Sequence, residues 1–276
     1  MPVIAKVVLK TVPAVALVGF RVVVTAAVLV VFQALRGRFW LVNKYDYWRF
    51  AVLSLFGITF NQLLFITGLS LTKASNTSLL AVTIPVFALT AGAIIGFERL
   101  TLIKIVGIVL AAVGVLLIID PQKASFASAT TLGDLLIVCN SLSYGIYVAI
   151  SKHVITRNGV FRSMMWVFVF ASVICAPLGA WSFSTGDISG ISPGIWLVMT
   201  YIAIGATAAP YLLNAFALAR VQASTVAVFV YLQPVIGFLL AVVFLGEQIG
   251  TLFIMAALLI FAGVFLVSKK FGQSET

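Results

Sequence analysis

Part of this chain is written twice, and that duplication limits the fold more than any other feature. Residues 74–118 and 223–267 align without gaps at an offset of about 149 residues. Ala74-Ser75 returns as Ala223-Ser224 and Pro85-Val86 as Pro234-Val235. Glu98 returns as Glu247, Leu110 as Leu259, Gly114 as Gly263 and Leu117 as Leu266. Two related units must therefore fold around related faces.

The background is strongly apolar. The chain is 63% hydrophobic and 9% charged, against roughly 25% charged in a soluble domain. A soluble fold of this length cannot hide so much apolar surface. The apolar runs are broken at short intervals by Gly, Pro and charge clusters, which predicts a polytopic helical membrane protein. Duplication in such a chain is the pattern of a transporter built from two repeated halves. The net charge of +10 reflects basic residues flanking the spans. No basic patch interleaves with aromatics, so a nucleic-acid partner is not expected. Cys139 and Cys175 lie inside apolar runs, His153 is the only histidine, and there is no CxxC. Neither a metal site nor a cofactor is expected.

The spans read as a stub at 2–10, then 13–35, 47–71, 74–97, 100–119, 132–155, 162–183, 194–219, 222–245 and 250–268. Arg36, Arg38, Lys44, Arg49, Arg99, Lys104, Lys152, Arg157, Arg162, Arg220, Lys269 and Lys270 fall on one side. Only Lys10, Lys73 and Lys123 fall on the other. The basic side should be cytoplasmic, with the C-terminus there. An odd number of spans separates the fourth helix from the ninth, so the copies should run in opposite directions, as inverted repeats. The expected fold is an all-α bundle of two inverted five-helix units, 1–120 and 132–270, with a cytoplasmic tail at 271–276.

The first helix is short. Lys6 aligns with Lys152, and on that register about 15 residues of the first helix are absent. A stub of about 10 residues cannot cross a core that needs about 20. We expect a start placed downstream of the true one, or a truncation; a genuine nine-span protein is the alternative.

Several residues stand out against the apolar background. Pro85 and Pro234 lie mid-helix, where each frees a backbone carbonyl and kinks the span; the carbonyl must face a neighbour or a wet cavity. Asn140, Tyr144, Tyr147 and Ser151 share one face of the sixth span, and Thr207, Tyr211 and Asn214 one face of the eighth. Asn61 and Gln62 sit mid-span on the third, and Asn76, Thr83 and Thr90 share a face of the fourth. Amides in hydrocarbon must be paired or hydrated, so these stripes should point inward, around a central cavity or in interhelical hydrogen bonds. Arg21 lies roughly 12 Å into the second helix. It is open to three roles: contact with an anionic substrate group, pairing with a carbonyl, or snorkelling outward. Glu98 and Glu247 end the fourth and ninth helices and should pair with a nearby base or loop amide. Ala88, Gly92 and Gly96 on the fourth helix, Gly237 and Ala241 on the ninth, and Gly107 and Ala111 on the fifth have the spacing of close helix contacts. No carboxylate reads as mid-membrane, which leaves a proton relay without parts. No P-loop, HExxH or GxSxG is present, so no enzyme activity is expected.

Ala74-Ser75-Asn76 through Pro85 to Glu98, with Ala223-Ser224 through Tyr231-Leu232-Gln233-Pro234 to Leu245-Gly246-Glu247, resembles the paired domains of EamA-like proteins of the drug/metabolite transporter superfamily. Tyr144-Gly145 and Tyr147 are similar to that family too. The resemblance implies ten helices with both termini cytoplasmic. It also implies movement of small metabolites, often amino acids and usually outward, through a cavity lined by the third, fourth, eighth and ninth helices and by the first and sixth. Carried over by position, it implicates Asn61, Gln62, Asn76, Tyr144, Tyr211, Asn214 and Gln233.

The expected function is alternating-access transport of a small neutral or zwitterionic cargo across the cell membrane. Two alternatives stay open: a lipid-linked sugar flippase or multidrug exporter of the same architecture, and a scaffold that transports nothing. The expected partners are a small-molecule substrate and the lipid bilayer, with a homodimer left open.

Overall fold

A computed structural model of the chain describes residues 1–37, 39–96, 98, 100–119, 128–186, 191–210, 213, 236–237 and 239–268. Among these, the regular structure is helical. The elements are α1 (Pro2–Val8), α2 (Ala14–Leu35), α3 (Tyr45–Leu71), α4 (Ala74–Ile94) and α5 (Leu102–Ile119). They continue with α6 (Ala129–Asn158), α7 (Val160–Thr185), α8 (Pro193–Ala208) and α9 (Thr251–Ser268). Residues 239–245 are also helical. Seven of these helices are long and apolar enough to cross a membrane. The remainder of the expected eighth span and most of the ninth, with Tyr211, Asn214, Gln233 and Pro234, lie outside the described residues.

Local chemistry sets the helix ends. Pro13 precedes α2 in an extended conformation, where its missing N–H costs nothing. Pro193 opens α8, and the Ser192 hydroxyl accepts from the Ile195 N–H. Gly159, at φ +80°, turns the chain from α6 straight into α7, a conformation that L side chains resist.

Three helices depart from regular α geometry. Pro85 cannot donate to the Ala81 carbonyl, and a 3₁₀ turn at Ala81–Thr83 lets Ile84 N–H take that carbonyl instead. The Leu80 carbonyl then loses its usual partner. It accepts from the Thr83 hydroxyl at 2.6 Å and, across the interface, from the Ser141 hydroxyl at 3.2 Å. A π-turn interrupts α3 at Leu55–Thr59 and another ends α8 at Ile204–Ala208. Their spacing is that of the sequence repeat. Here too neighbours supply donors: Ser143 to the Phe56 carbonyl at 2.8 Å and Thr25 to the Ala203 carbonyl at 3.0 Å.

The helices pair between the first and second halves of the chain: α2 with α7, α3 with α6, α5 with α9 and α1 with α8. Small residues permit this closeness. A Cβ on Gly19 would stand 2.5 Å from Gly179 Cα, and one on Gly145 2.8 Å from the Ala88 nitrogen. In the α5–α9 pair, Gly107 meets the Gly263 carbonyl and Gly114 the Ala256 carbonyl. The residue order ascends on one helix as it descends on the other, so the two cross antiparallel. Most of their remaining surface is exposed and apolar, including Val109, Val113 and Leu116 on α5 and Ile254, Met255 and Leu258 on α9. That is the face a bilayer covers. The main buried core lies between α2, α3 and α7, around Leu17, Phe50, Met165 and Phe168.

Candidate functional site

Helices α2, α3, α4, α6 and α8 leave a cavity of about 240 Å³ where they meet. Its polar wall is Asn61 and Gln62 from α3, Asn140 and Tyr144 from α6, and Arg21 from α2. Phe65, Ala81, Ile84 and Ala206 supply apolar surface, and Met1 touches the rim. No carboxylate is among these residues.

Arg21 turns inward. It is 7% exposed, and its Nε donates to Thr207 Oγ1 on α8 at 2.6 Å. Of the three roles open to it, snorkelling outward is removed by this burial. The Thr207 hydroxyl donates in turn to the Ile202 carbonyl at 2.8 Å, beside the π-turn. The threonine is thus buried and holds the arginine at Nε.

The amides are tied to one another across the α3–α6 interface. Asn140 Nδ2 donates to the Asn61 carbonyl at 2.7 Å. Gln62 Nε2 lies 3.5 Å from Asn61 Oδ1. Gln62 is 5% exposed, and its Oε1 accepts no hydrogen bond among the described residues. A buried amide oxygen of this kind is costly unless water or a ligand completes it. Tyr144 reaches the cavity with its ring 5.4 Å from that of Tyr147.

The other candidates sit elsewhere. Tyr147 is packed behind Tyr144 and under Gly57, whose added Cβ would strike its ring at 2.5 Å; its hydroxyl points to Met164 Sδ, 3.9 Å away. Thr83 is buried with its hydroxyl on the Leu80 carbonyl, and Pro85 completes the same turn. Asn76 lies one helix-end away, on Asp134. Glu98 pairs with Lys104 at 3.4 Å, and Glu247 accepts from the Ala74 and Ser75 amides at 2.8 and 2.9 Å.

Two buried carboxylates were missed in the sequence. Asp134 on α6 is 2% exposed and accepts from Thr72 Oγ1 at 2.5 Å and Asn76 Nδ2 at 3.1 Å. It lies in the second turn of α6, against the α3–α4 turn, and not at mid-span. Its signal was its place inside the expected sixth span with no base within a turn. Asp46, at the opposite end of α3, is fully buried by Arg157, by Asn158 Nδ2 at 2.7 Å and by Arg49 at 3.5 Å. It lies one residue outside the expected third span, 47–71. Among the described residues, no group of His, Cys, Asp and Glu is arranged to hold a metal.

Comparison with known proteins follows the same lines. The model of the EamA-like transporter family matches residues 1–120 and 131–269. An uncharacterized transporter of Archaeoglobus fulgidus is 25% identical over 224 residues, 81% of this chain and 76% of that protein. The uncharacterized transporter YyaM of Bacillus subtilis is 24% identical over 230 residues, 82% of this chain and 73% of that protein. The putative permease-like protein YdzE of Bacillus subtilis is 41% identical over 70 residues, 25% of this chain and 90% of that protein. A solved protein crystal structure matches 96% of this chain and 91% of its own with a TM-score of 0.64 at 19% identity, a likeness of fold alone.

Proposed function

The chain belongs to the EamA-like transporter family, and from that premise we propose that it is a secondary transporter exporting small amino-acid-like metabolites by alternating access. It is a multi-pass membrane transporter. The finer reading rests on the cavity: one buried guanidinium, three amides and a phenol converge where five helices meet. A carboxylate is the natural partner of an oriented guanidinium. The amides and Tyr144 suit an ammonium or other polar groups, while Phe65 and Ile84 suit a small apolar side chain. A zwitterion fits this set better than a cation, for which the described wall residues supply no negative charge. At about 240 Å³ the cavity is below the range of roughly 300–1,000 Å³ that takes drug-sized ligands. Its polar lining favours transport over a dry scaffold, and its size favours a metabolite over a multidrug cargo.

Two observations support inverted repeats. The α5–α9 pair joins sequence counterparts in antiparallel contact, and Gly107–Gly263 exchanges with Ala256–Gly114 under the repeat. The π-turns recur at the same spacing. Such halves rock about a site between them. The basic flanks support a cytoplasmic C-terminus, and the reading takes the membrane to be the cell membrane.

The test is counterflow of labelled amino acids in proteoliposomes containing the purified chain. Uncharged-side-chain amino acids are expected to exchange, and Asn140→Leu to cut the rate at least tenfold with folded yield retained. Exchange of none of the panel, or an unaltered rate in Asn140→Leu, would remove this assignment.

A further inference from the structure

Three distant segments reach for one turn. The turn joins α3 to α4 and spans residues 69–76. From α1, Lys6 Nζ donates to the carbonyls of Leu69, at 3.2 Å, and of Thr72. From α6, Asp134 accepts from the Thr72 hydroxyl at 2.5 Å and from Asn76 Nδ2 at 3.1 and 3.2 Å. From the segment after residues 239–245, Glu247 accepts from the N–H groups of Ala74 and Ser75 at 2.8 and 2.9 Å, and from the Ser75 hydroxyl. Gly133 brings the α6 backbone against Thr72, where a Cβ would sit 2.8 Å from the Thr72 nitrogen.

The chemistry of the turn explains the grip. The last carbonyls of α3 lack intrahelical donors and favour a cation; the first amides of α4 lack acceptors and favour an anion. Lys6 meets the first need and Glu247 the second. Each contact pairs an ion with a dipole, the stronger class of hydrogen bond. None of the three holding side chains belongs to α3 or α4, so the turn is locked by elements that would have to part for this end of the bundle to open. A groove of about 210 Å³, lined by Lys73, Ser75, Asn76, Gln248 and Phe253 among others, reaches the lock.

The sequence counterpart of Glu247 behaves differently at the opposite end. Both glutamates close the same hook at a helix end: Glu98 N–H donates to the Gly92 carbonyl and Glu247 N–H to the Ala241 carbonyl. Glu98 nevertheless leaves 53% of its side chain exposed and meets Lys104 at 3.4 Å. Glu247 is engaged on the first amides of α4, whereas about half of the Glu98 side chain is exposed; residues 223–224, the counterparts of Ala74 and Ser75, lie outside the described residues.

We propose that Lys6, Asp134 and Glu247 are the gating residues of one mouth of the transporter, holding the α3–α4 turn shut in the state seen here. The inference rests on the transporter reading. Opening of this mouth breaks the Glu247–Ser75 and Asp134–Thr72 contacts and exposes the central cavity on that side.

The test uses the full chain with Cys139→Ala and Cys175→Ala, and a reporter Ala81→Cys in the cavity wall. A membrane-impermeant thiol reagent is applied to right-side-out and to inside-out vesicles. Glu247→Gln and Asp134→Asn are each expected to raise labelling severalfold from the side of the lock and to lower it from the other. Glu98→Gln, the same charge change at the far end, is expected not to raise labelling on the lock side. Unaltered labelling, or a rise from both sides as unfolding would give, overturns the proposal. The readout needs no substrate. A reciprocal shift without amino-acid exchange would retain the gate and remove the cargo assignment; exchange without a shift would do the reverse.

Discussion

In the proposed transport of a zwitterion, Arg21 carries more of the chemistry than any other single side chain. Thr207 holds the guanidinium at Nε, which restricts the orientation of its planar fork before a carboxylate arrives. Hydrogen bonds to charged groups contribute about 1.5–3 kcal/mol, or roughly ten- to a hundredfold in affinity. Arg21→Gln is therefore expected to raise the KM for a zwitterionic amino acid by about that factor, measured as initial exchange rate against concentration. Thr207→Val should follow in the same direction by a smaller amount, because the guanidinium stays and only its orientation loosens. Equal KM values in wild type and Arg21→Gln would place the carboxylate elsewhere. The depth of Arg21 could be read from its position in an apolar run. Its partner could not, since Thr207 is 186 residues away and a single sequence carries no record of which helices touch. The same limit hid Asp134: its acceptance of Thr72 and Asn76 makes burial tolerable, and one donor lies in the α3–α4 turn and the other on α4.

At the scale of the element, the departures from α geometry show what periodicity reveals and what it hides. The break near Pro85 was legible, because a proline removes a known donor. That Ser141 would take the freed Leu80 carbonyl was not. The π-turns left no mark in the sequence: Leu55–Thr59 and Ile204–Ala208 contain no proline, and each reads as ordinary apolar helix. Close packing was partly legible. Gly107 and Ala111 have the spacing of a contact face, but Gly19 stands alone in α2 and gave no signal. It is nonetheless the tighter site, since an added Cβ would meet Gly179 Cα at 2.5 Å and the Cys175 carbonyl at 2.8 Å. Backbone cannot give way as a side-chain tip can. Gly19→Leu is expected to cost at least the roughly 1–3 kcal/mol of overpacking and to separate α2 from α7. Gly250→Ala, where nothing lies within 4 Å, is expected to be near neutral. Thermal unfolding midpoints of the purified variants in detergent compare the two, and equal midpoints would mean that the α2–α7 contact is looser than this geometry.

The molecule as a whole is organised by its two ends. One carries Asp46, Arg157, Arg162 and the Trp40–Trp166 cluster, where the Trp166 indole donates to the Phe39 carbonyl at 3.1 Å. The other carries Lys6, Lys73, Asp134 and Glu247, with Trp196 stacked on Phe183 nearby. Tryptophans at both ends mark the two interfaces. The span limits were legible to within a few residues for α2–α7 and α9, because apolar length and flanking charge are local properties. The cavity was legible as a set of polar stripes but not as a roster: Asn61, Gln62, Asn140 and Tyr144 meet there, while Asn76 and Tyr147 are held by other partners. The proposed orientation rests on the Arg and Lys residues between α2 and α3 and on either side of the Gly159 turn, against Lys10 and Lys73 opposite. Each such residue biases retention on the cytoplasmic side. A fluorescent protein fused after Thr276 should fluoresce and alkaline phosphatase fused there should be inactive, whereas phosphatase inserted before Pro193 should be active. Both fusions respond to the side of the membrane and not to transport. A phosphatase active at the C-terminus would invert the topology and place the Glu247 lock on the cytoplasmic mouth.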